Sequence, residues 1–302
     1  MNVYNGRSWL HEALASVFAQ TFADWELIFW DDQSSDGSAA VLGEFPPDPR
    51  VRYFRAEEQV PLTAARRAAI AEARGEWLAF LDQDDVWTAD KLYKQASVIE
   101  SSPPSLGLVY GRAMRFGDVR VRDFDRHHEF RELPQGDIFD ELFLSACFIC
   151  QSASCMRTDY VRRLGDFPPE SRFCADYFLY MELASRYTAG CTQDVVCWYR
   201  MHEQAMSKRY YTRALREMLG ILESWKHRVP PAVYARPHRI HSTILGLSEI
   251  LSREDVGGGL RRILSEGSIV YLLTRPFSLA HRILRRAVRY SLHGVAKRPV
   301  YS

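Results

Sequence analysis

The sequence predicts an α/β fold: a mostly parallel sheet flanked by helices, followed by a helical C-terminal tail. Three observations predict it. Two apolar runs of strand type, Trp25-Glu26-Leu27-Ile28-Phe29-Trp30 and Glu76-Trp77-Leu78-Ala79-Phe80-Leu81, each run into acidic residues, Asp31-Asp32 and Asp82-Gln83-Asp84-Asp85. A buried parallel strand reads as a continuous apolar run, and residues directly after it sit at the carboxyl edge of the sheet, where open α/β folds bind ligands. Second, strand and helix patterns alternate from Met1 to about Thr88, as in a helix-covered parallel sheet. Third, strand patterns cease near Tyr210 and helical spacing takes over.

The elements follow in order. Residues 8–20 have helical spacing, with Leu10, Ala13, Leu14 and Val17 on one face. The strand into Asp32 is followed by a short helix over 38–45, stopped by Pro46-Pro47. Val51-Arg52-Tyr53-Phe54 is a short strand. Residues 62–74 form an Ala-rich helix, with Gly75 in a C-terminal capping role. The strand into Asp82 leads to a helix over 89–101, ended by Pro103-Pro104. Further strands are expected over 108–116, 148–156 and 194–201, helices over 137–144 and 176–187, and a charged flexible loop over 117–135. Four helices are expected after the boundary near Tyr210: 210–226, 231–253, 257–264 and 277–292. The domains are therefore 1–209 and 210–302.

Composition excludes several classes. At 302 residues the chain can bury a full core. With 47% hydrophobic and 25% charged residues it is a globular rather than a disordered sequence. A net charge of +1 excludes a polyanion binder acting through the whole chain, and no nucleic-acid motif accompanies the local basic runs. No apolar run approaches the ~20 residues of a membrane span. Cys147-Phe-Ile-Cys150 has zinc-like spacing, but no second pair follows and its neighbours are apolar, so buried thiols are expected. With no leader pattern at Met1, a reducing cytoplasm is the expected compartment.

Asp82 and Asp84 lie two residues apart just past a strand. Such a pair can share Mg²⁺ or Mn²⁺ while one carboxylate reaches a ribose hydroxyl; Mg²⁺ uses one or two carboxylates, and phosphate oxygens and water complete its shell. The 32–38 segment partly resembles a calcium loop, but its twelfth position is Gly43 rather than a bidentate Glu, and strand-then-helix flanks it; Asp31 and Asp32 fit strand-end ligand contacts instead. Arg66 and Arg67 stand near a helix start, where an arginine can clamp a phosphate; Arg67 reads as a solvated face. Asp176 starts a helix and is open to two readings, an N-cap or a general base. Arg200-Met201-His202 ends a strand and offers cationic or metal-binding groups, although a lone His is more often structural.

The order of these motifs resembles glycosyltransferase family 2, inverting enzymes of the GT-A, Rossmann-like fold that use nucleotide sugars, here of the bacterial cell-surface polysaccharide type. The resemblance rests on Val3-Tyr4-Asn5-Gly6, the 15–22 segment, Asp31-Asp32 through Gly37-Ser38, Ala64-Ala65-Arg66, Phe80 through Trp87 with Asp90-Lys91-Leu92, Gly165-Asp166-Phe167, Ala175-Asp176 and Tyr199-Arg200-Met201-His202, and spans about 1–208. It implies that Tyr4 packs on the nucleotide base, that Asp32 hydrogen-bonds the base with Asp31 beside it, and that Arg66 contacts the nucleotide. It further implies that Asp82 holds the ribose, Asp84 ligates the metal, Asp176 is the general base, and Arg200 and His202 lie near the diphosphate or metal.

Three departures stand out. The first family strand is expected to be absent, because the chain begins at Met1-Asn2, which leaves two readings, a start that lies too far downstream, the favoured one, or an impaired protein; Ala175 stands where the family usually has an acid; and Arg67 stands where Asn is common. The implied function is metal-assisted transfer of a sugar from a UDP-type donor to a glycan or lipid-linked acceptor. The alternative is a catalytically silent nucleotide-sugar or glycan-binding protein. A glycoside hydrolase would need two carboxylates but neither the arginine nor the metal-type pair. From 267 to 302 there are seven Lys or Arg and no acid, with apolar residues at helical spacing over 277–292. That segment is read equally as a peripheral contact with an anionic membrane inner face or as a helix packed on the protein with a solvated basic side.

Overall fold

The computed structural model describes residues 1–118, 132–145, 147–165 and 171–265. The expected helix over 277–292, most of the expected 117–135 loop and Asp166-Phe167 lie outside the described residues. The chain divides into two compact units after Ala205.

In the first unit, strand β1 (Asn2–Val3), helix α1 (Arg7–Phe18), β2 (Leu27–Asp31), α2 (Ser38–Leu42), β3 (Val51–Arg55) and α3 (Leu62–Glu72) alternate as the apolar patterning requires. The three strands form a parallel sheet in the order β1-β2-β3. At the place of the first strand only two residues form the ladder: Asn2 pairs with Trp30 and Val3 with Asp31, and Met1 extends it by accepting the Trp30 N–H at 2.9 Å. Leu10, Ala13, Leu14 and Val17 of α1 are buried against this sheet, in one core with Val3, Leu27 and Phe29.

The remaining strands are β4 (Trp77–Ala79), β5 (Val86–Trp87), β6 (Leu106–Gly117), β7 (Ser154–Arg157) and β8 (Thr188–Met201). They form a second sheet in the order β4-β7-β6-β8-β5, and only its β6–β8 pairing is parallel. A parallel character for the whole sheet therefore holds for β1–β3 alone. An apolar run reports burial on both faces, not the direction of its neighbour, so the antiparallel insertion of β7 between β4 and β6 was not readable. Helices α4 (Lys91–Glu100), α5 (Phe139–Ser145), α6 (Thr158–Arg163) and α7 (Ala175–Ala184) connect these strands. The two sheets share one core, since Leu81, Trp87, Val196 and Cys197 pack in the same cluster as Val3 and Leu14.

Gly75 does not cap α3. The helix ends in Ala73, whose backbone is extended (φ −67°, ψ 138°), and the Arg162 guanidinium takes the capping role by donating to the Ile70 and Ala73 carbonyls at 2.8 Å each. A cation there also faces the negative end of the helix dipole. All six cysteines are free thiols, three of them buried.

The second unit contains α8 (Met206–Arg209), α9 (Tyr211–Ser224), α10 (Pro231–Ser252) and α11 (Val256–Ser265). Helices α10 and α11 meet at Gly246 and Gly259, where a Cβ on either glycine would stand within 2.8 Å of the other's carbonyl oxygen. The buried Glu249 carboxylate between them accepts from Arg216 at 3.0 Å and Arg262 at 3.2 Å. Among the described residues no helix is long and apolar enough to cross a membrane.

Candidate active site

The carboxyl ends of β1, β2 and β4 gather most of the residues singled out above. At the end of β2 the two aspartates separate by role. Asp31 is fully buried: its carboxylate accepts the Ser34 N–H at 2.8 Å and the Tyr53 hydroxyl at 3.0 Å, and lies 3.6 Å from the Arg55 guanidinium. It builds the turn, because strand alternation turns it into the protein and the donors around it use its oxygens. Asp32 receives only long bonds from the Val60 N–H, 3.3 and 3.4 Å to its two oxygens, just ahead of α3. Burial raises its pKa, Val60 partly offsets this, and Asp31 adds to it.

The turn after Asp32 is stitched to the turn after β1. Asn5 Oδ1 accepts the Ser35 N–H at 2.8 Å, the Asn5 N–H donates to Ser34 Oγ at 3.1 Å, and the Gly6 N–H donates to Ser38 Oγ at 2.9 Å. Asp36, once weighed as part of a calcium loop, accepts from Arg7 N–H and from the hydroxyl and N–H of Ser38. Tyr4, between these turns and β1, is 43% exposed.

Past β4 the chain leaves the ladder at Ala79, and Asp82 to Asp85 form a turn in which the Asp85 N–H donates to the Asp82 carbonyl. Each residue of that turn has its own tether. The Asp82 N–H donates to Ser152 Oγ at 3.1 Å, and its carboxylate accepts from the nearly buried Arg66 at 2.9 Å. Asp84 Oδ2 lies 2.8 Å from His202 Nε2, and the Asp84 carbonyl accepts from Arg200 Nε at 2.8 Å. Asp85, 1% exposed, accepts the Arg200 N–H at 2.9 Å. Arg200 also reaches Glu12 at 3.0 Å and lies over the Phe116 ring, while His202 packs against Trp9 with centroids 4.0 Å apart.

Ser152 belongs to a tight turn, Gln151–Ala153, that is itself fixed from below. Trp87 Nε1 donates to the Ser152 carbonyl at 2.6 Å and Gln95 Nε2 to the Ala153 carbonyl at 3.0 Å. Lys91, fully buried, donates to Gln95 at 2.6 Å and faces the Trp87 ring at 4.1 Å. Burial lowers its pKa to about 8. Ser152, Trp9 and Gln83 escaped the reading of the sequence, because nothing in their local pattern marks a contact made across 65 or more residues.

Asp176 is the second residue of α7, whose N-cap is Cys174, so the capping reading does not apply. Its carboxylate accepts the Tyr177 N–H at 2.8 Å. Burial raises its pKa; the Arg66 charge pulls it down, and Asp82 pushes it up again. The Arg66 charge on α3 and the Asp82 charge on the turn after β4 thus both act on Asp176.

The donor set suits a divalent cation. Oxygen ligands from carboxylates and an imidazole nitrogen match Mn²⁺, and carboxylates match Mg²⁺. Asp84 Oδ2 and His202 Nε2, 2.8 Å apart, have the separation of two neighbouring ligands on an octahedral ion with bonds of about 2.0–2.1 Å. Among the described residues the buried His202 Nδ1 has no hydrogen-bond partner.

Comparison with known proteins agrees. The family model described as "Glycosyl transferase family 2" matches residues 1–165. The chain is similar to Escherichia coli WfgD, described as a UDP-Glc:alpha-D-GlcNAc-diphosphoundecaprenol beta-1,3-glucosyltransferase, at 36% identity over 111 residues; the match covers 37% of this chain and only 43% of WfgD. Among solved structures, S. aureus TarS in complex with UDP-GlcNAc superimposes with a TM-score of 0.64 at 15% identity, covering 98% of this chain and 91% of TarS. The Pyrobaculum calidifontis mannosyltransferase PcManGT, in complex with GDP-Man and Mn²⁺, gives 0.62 at 17% identity, covering 97% and 84%. The fold is the GT-A type shared by these proteins.

The division between Asp31 and Asp32 is testable. Replacing Asp31 with Ala takes the acceptor from the Ser34 N–H and the Tyr53 hydroxyl. The expected cost is about 1–3 kcal/mol of folding stability, read from urea denaturation. An unchanged midpoint and slope would remove this structural role.

Proposed function

Because the chain belongs to glycosyltransferase family 2, we propose that it transfers a sugar from a nucleoside diphosphate sugar, with uridine as the base, to a hydroxyl of a glycan or lipid-linked acceptor, inverting the anomeric configuration. The observation that carries this reading is the pairing of Asp82 with Arg66 and of Asp84 with His202 on the one turn that follows β4. WfgD, by its name, takes a UDP-sugar to a diphosphoundecaprenol-linked acceptor, which supports the donor and acceptor classes.

In this reading Tyr4 stacks on the base and Asp32 accepts from it. Arg66 contacts the nucleotide and, with Asp82 taking the ribose, holds the donor in register. Asp84 and His202 hold the Mg²⁺ or Mn²⁺, with Arg200 bracing Asp84 through its carbonyl. The bound cation would neutralise charge building on the diphosphate leaving group. Asp176 takes the acceptor proton as the hydroxyl oxygen attacks the anomeric carbon from the face opposite the leaving group. Burial favours this: a carboxylate with a raised pKa is a stronger base. A lipid-linked acceptor would place the reaction at the inner face of the cell membrane, with 277–292 as the candidate contact.

A screen of nucleotide sugars for metal-dependent thermal stabilisation tests the donor class. Asp176→Asn is expected to lower transfer by ~10²–10⁴-fold with donor affinity retained, measured by product formation and by calorimetry; wild-type turnover would remove the base assignment. Asp84→Ala is expected to abolish the dependence of donor affinity on Mn²⁺, and an affinity that still responds to the metal would contradict that ligand. The pH dependence has a definite sign. Asp176 works deprotonated and its pKa is raised, so kcat/KM falls with acidification through a value above the usual carboxylate range. Removing the Arg66 charge (Arg66→Gln) raises that pKa further, so the acid limb of the pH–rate profile moves to higher pH. A limb that stays in place or moves down would separate Arg66 from Asp176.

A further inference from the structure

Gln83, the residue between Asp82 and Asp84, has no place in the chemistry above, yet its side chain makes the most specific long-range contact in the site. Its Oε1 accepts the Tyr4 N–H at 2.9 Å and its Nε2 donates to the Tyr4 carbonyl at 3.1 Å. A carboxamide that meets both main-chain groups of one residue replaces a neighbouring strand at the point where β1 ends. The fit is close on the other side as well. A Cβ built on Gly6 would stand 2.3 Å from Gln83 Oε1, 2.4 Å from its Cδ and 3.0 Å from its Cγ. Gly6 itself has φ −106° and ψ 10°, a conformation open to other residues, so what a larger residue here would meet is the Gln83 side chain, which would have to move aside.

The strut is stiff at both ends. On one side Asp82 is tied to Arg66 and Ser152 and Asp84 to His202 and Arg200, so the Gln83 main chain is fixed before and after. On the other, Asn5 has a left-handed backbone (φ 48°) and is pinned by Ser34 and Ser35. The exposed Tyr4 ring therefore stands at a set distance from Asp84.

We infer that Gln83 is a positioning residue that fixes the Tyr4 base platform relative to the cation ligands, so that the base and diphosphate ends of one nucleotide are met at a preset spacing. This deepens the proposed function and rests on it. Since the two loops are already joined, less ordering is left for binding to impose.

Calorimetric titration of the full chain with UDP and with GDP, each with Mn²⁺, tests it on Gln83→Ala, Gln83→Met, Tyr4→Ala and the Tyr4→Ala/Gln83→Ala double variant. The loss of two hydrogen bonds predicts a weakening of roughly 5- to 30-fold for Gln83→Ala. Gln83→Met, which keeps the volume without the bonds, should be equally weak. If Gln83 acts through Tyr4, adding Gln83→Ala to Tyr4→Ala should weaken binding by less than about threefold, a non-additivity that a general structural role would not produce. Gly6→Ala, which displaces Gln83 without altering it, should reproduce the loss and serves if Gln83→Ala does not fold. Unchanged affinity in Gln83→Ala, wild-type affinity in Gln83→Met, or additive losses in the double variant would each overturn the inference while leaving the proposed function standing. A wild-type chain that binds neither nucleotide would overturn both.

Discussion

Asp85 is a carboxylate at 1% exposure, met by the main-chain N–H of Arg200 at 2.9 Å, and that bond joins the end of β8 to the turn after β4. Burial holds the Asp85 pKa well above its usual range, and the charges of Asp84 and Asp82 push the same way. Three aspartates in four residues are costly for the folded chain unless cations answer them. Arg66 answers at Asp82, His202 Nε2 lies against the Asp84 carboxylate, and Arg200 lays its guanidinium along the Asp84 carbonyl. The excess negative charge that makes the turn hard to hold is what would draw a divalent cation to it.

Around that turn the site is made of loops, yet they are cross-linked rather than loose. Ser34, Ser35, Ser38, Asn5 and Asp36 connect the turns after β1 and β2, and Gln83 connects the turn after β4 to the one after β1. Below them, Trp87, Lys91 and Gln95 hold the 151–153 turn, which in turn holds the Asp82 N–H. Small polar side chains serve this well, since each reaches a neighbouring N–H without displacing the packed strands beneath. Reactive groups held by a supporting layer of this kind need little reorganisation on binding.

Legibility in the sequence tracked the range of the interaction. The α1 face of Leu10, Ala13, Leu14 and Val17 was readable because helical period and burial coincide. For β8 only 194–201 was expected, whereas the strand runs Thr188–Met201; Ala189 and Gly190 carry little strand propensity and are held by the partner β6. Helix α6 went unread because six residues hold less than two turns of periodicity. Gly75 suggested a cap that Arg162, 87 residues further on, supplies instead. Asp31 and Asp32 looked equivalent in sequence, and only the donors facing Asp31 distinguish them.

By itself, the order of apolar runs and acidic punctuation determined the α/β class, the edge at which the carboxylates emerge and the ordered set of motifs that marks the family. These are local or one-dimensional properties, set by the periods of helix and strand and by the residues that end them. Strand direction in the second sheet, the burial of Asp31, the pairing of His202 with Asp84 and the strut from Gln83 to Tyr4 were decided by tertiary structure. Each depends on which surfaces meet after the chain has closed on itself, across 79 residues for the strut and 118 for the His202 pair, and no local pattern encodes a distance of that kind.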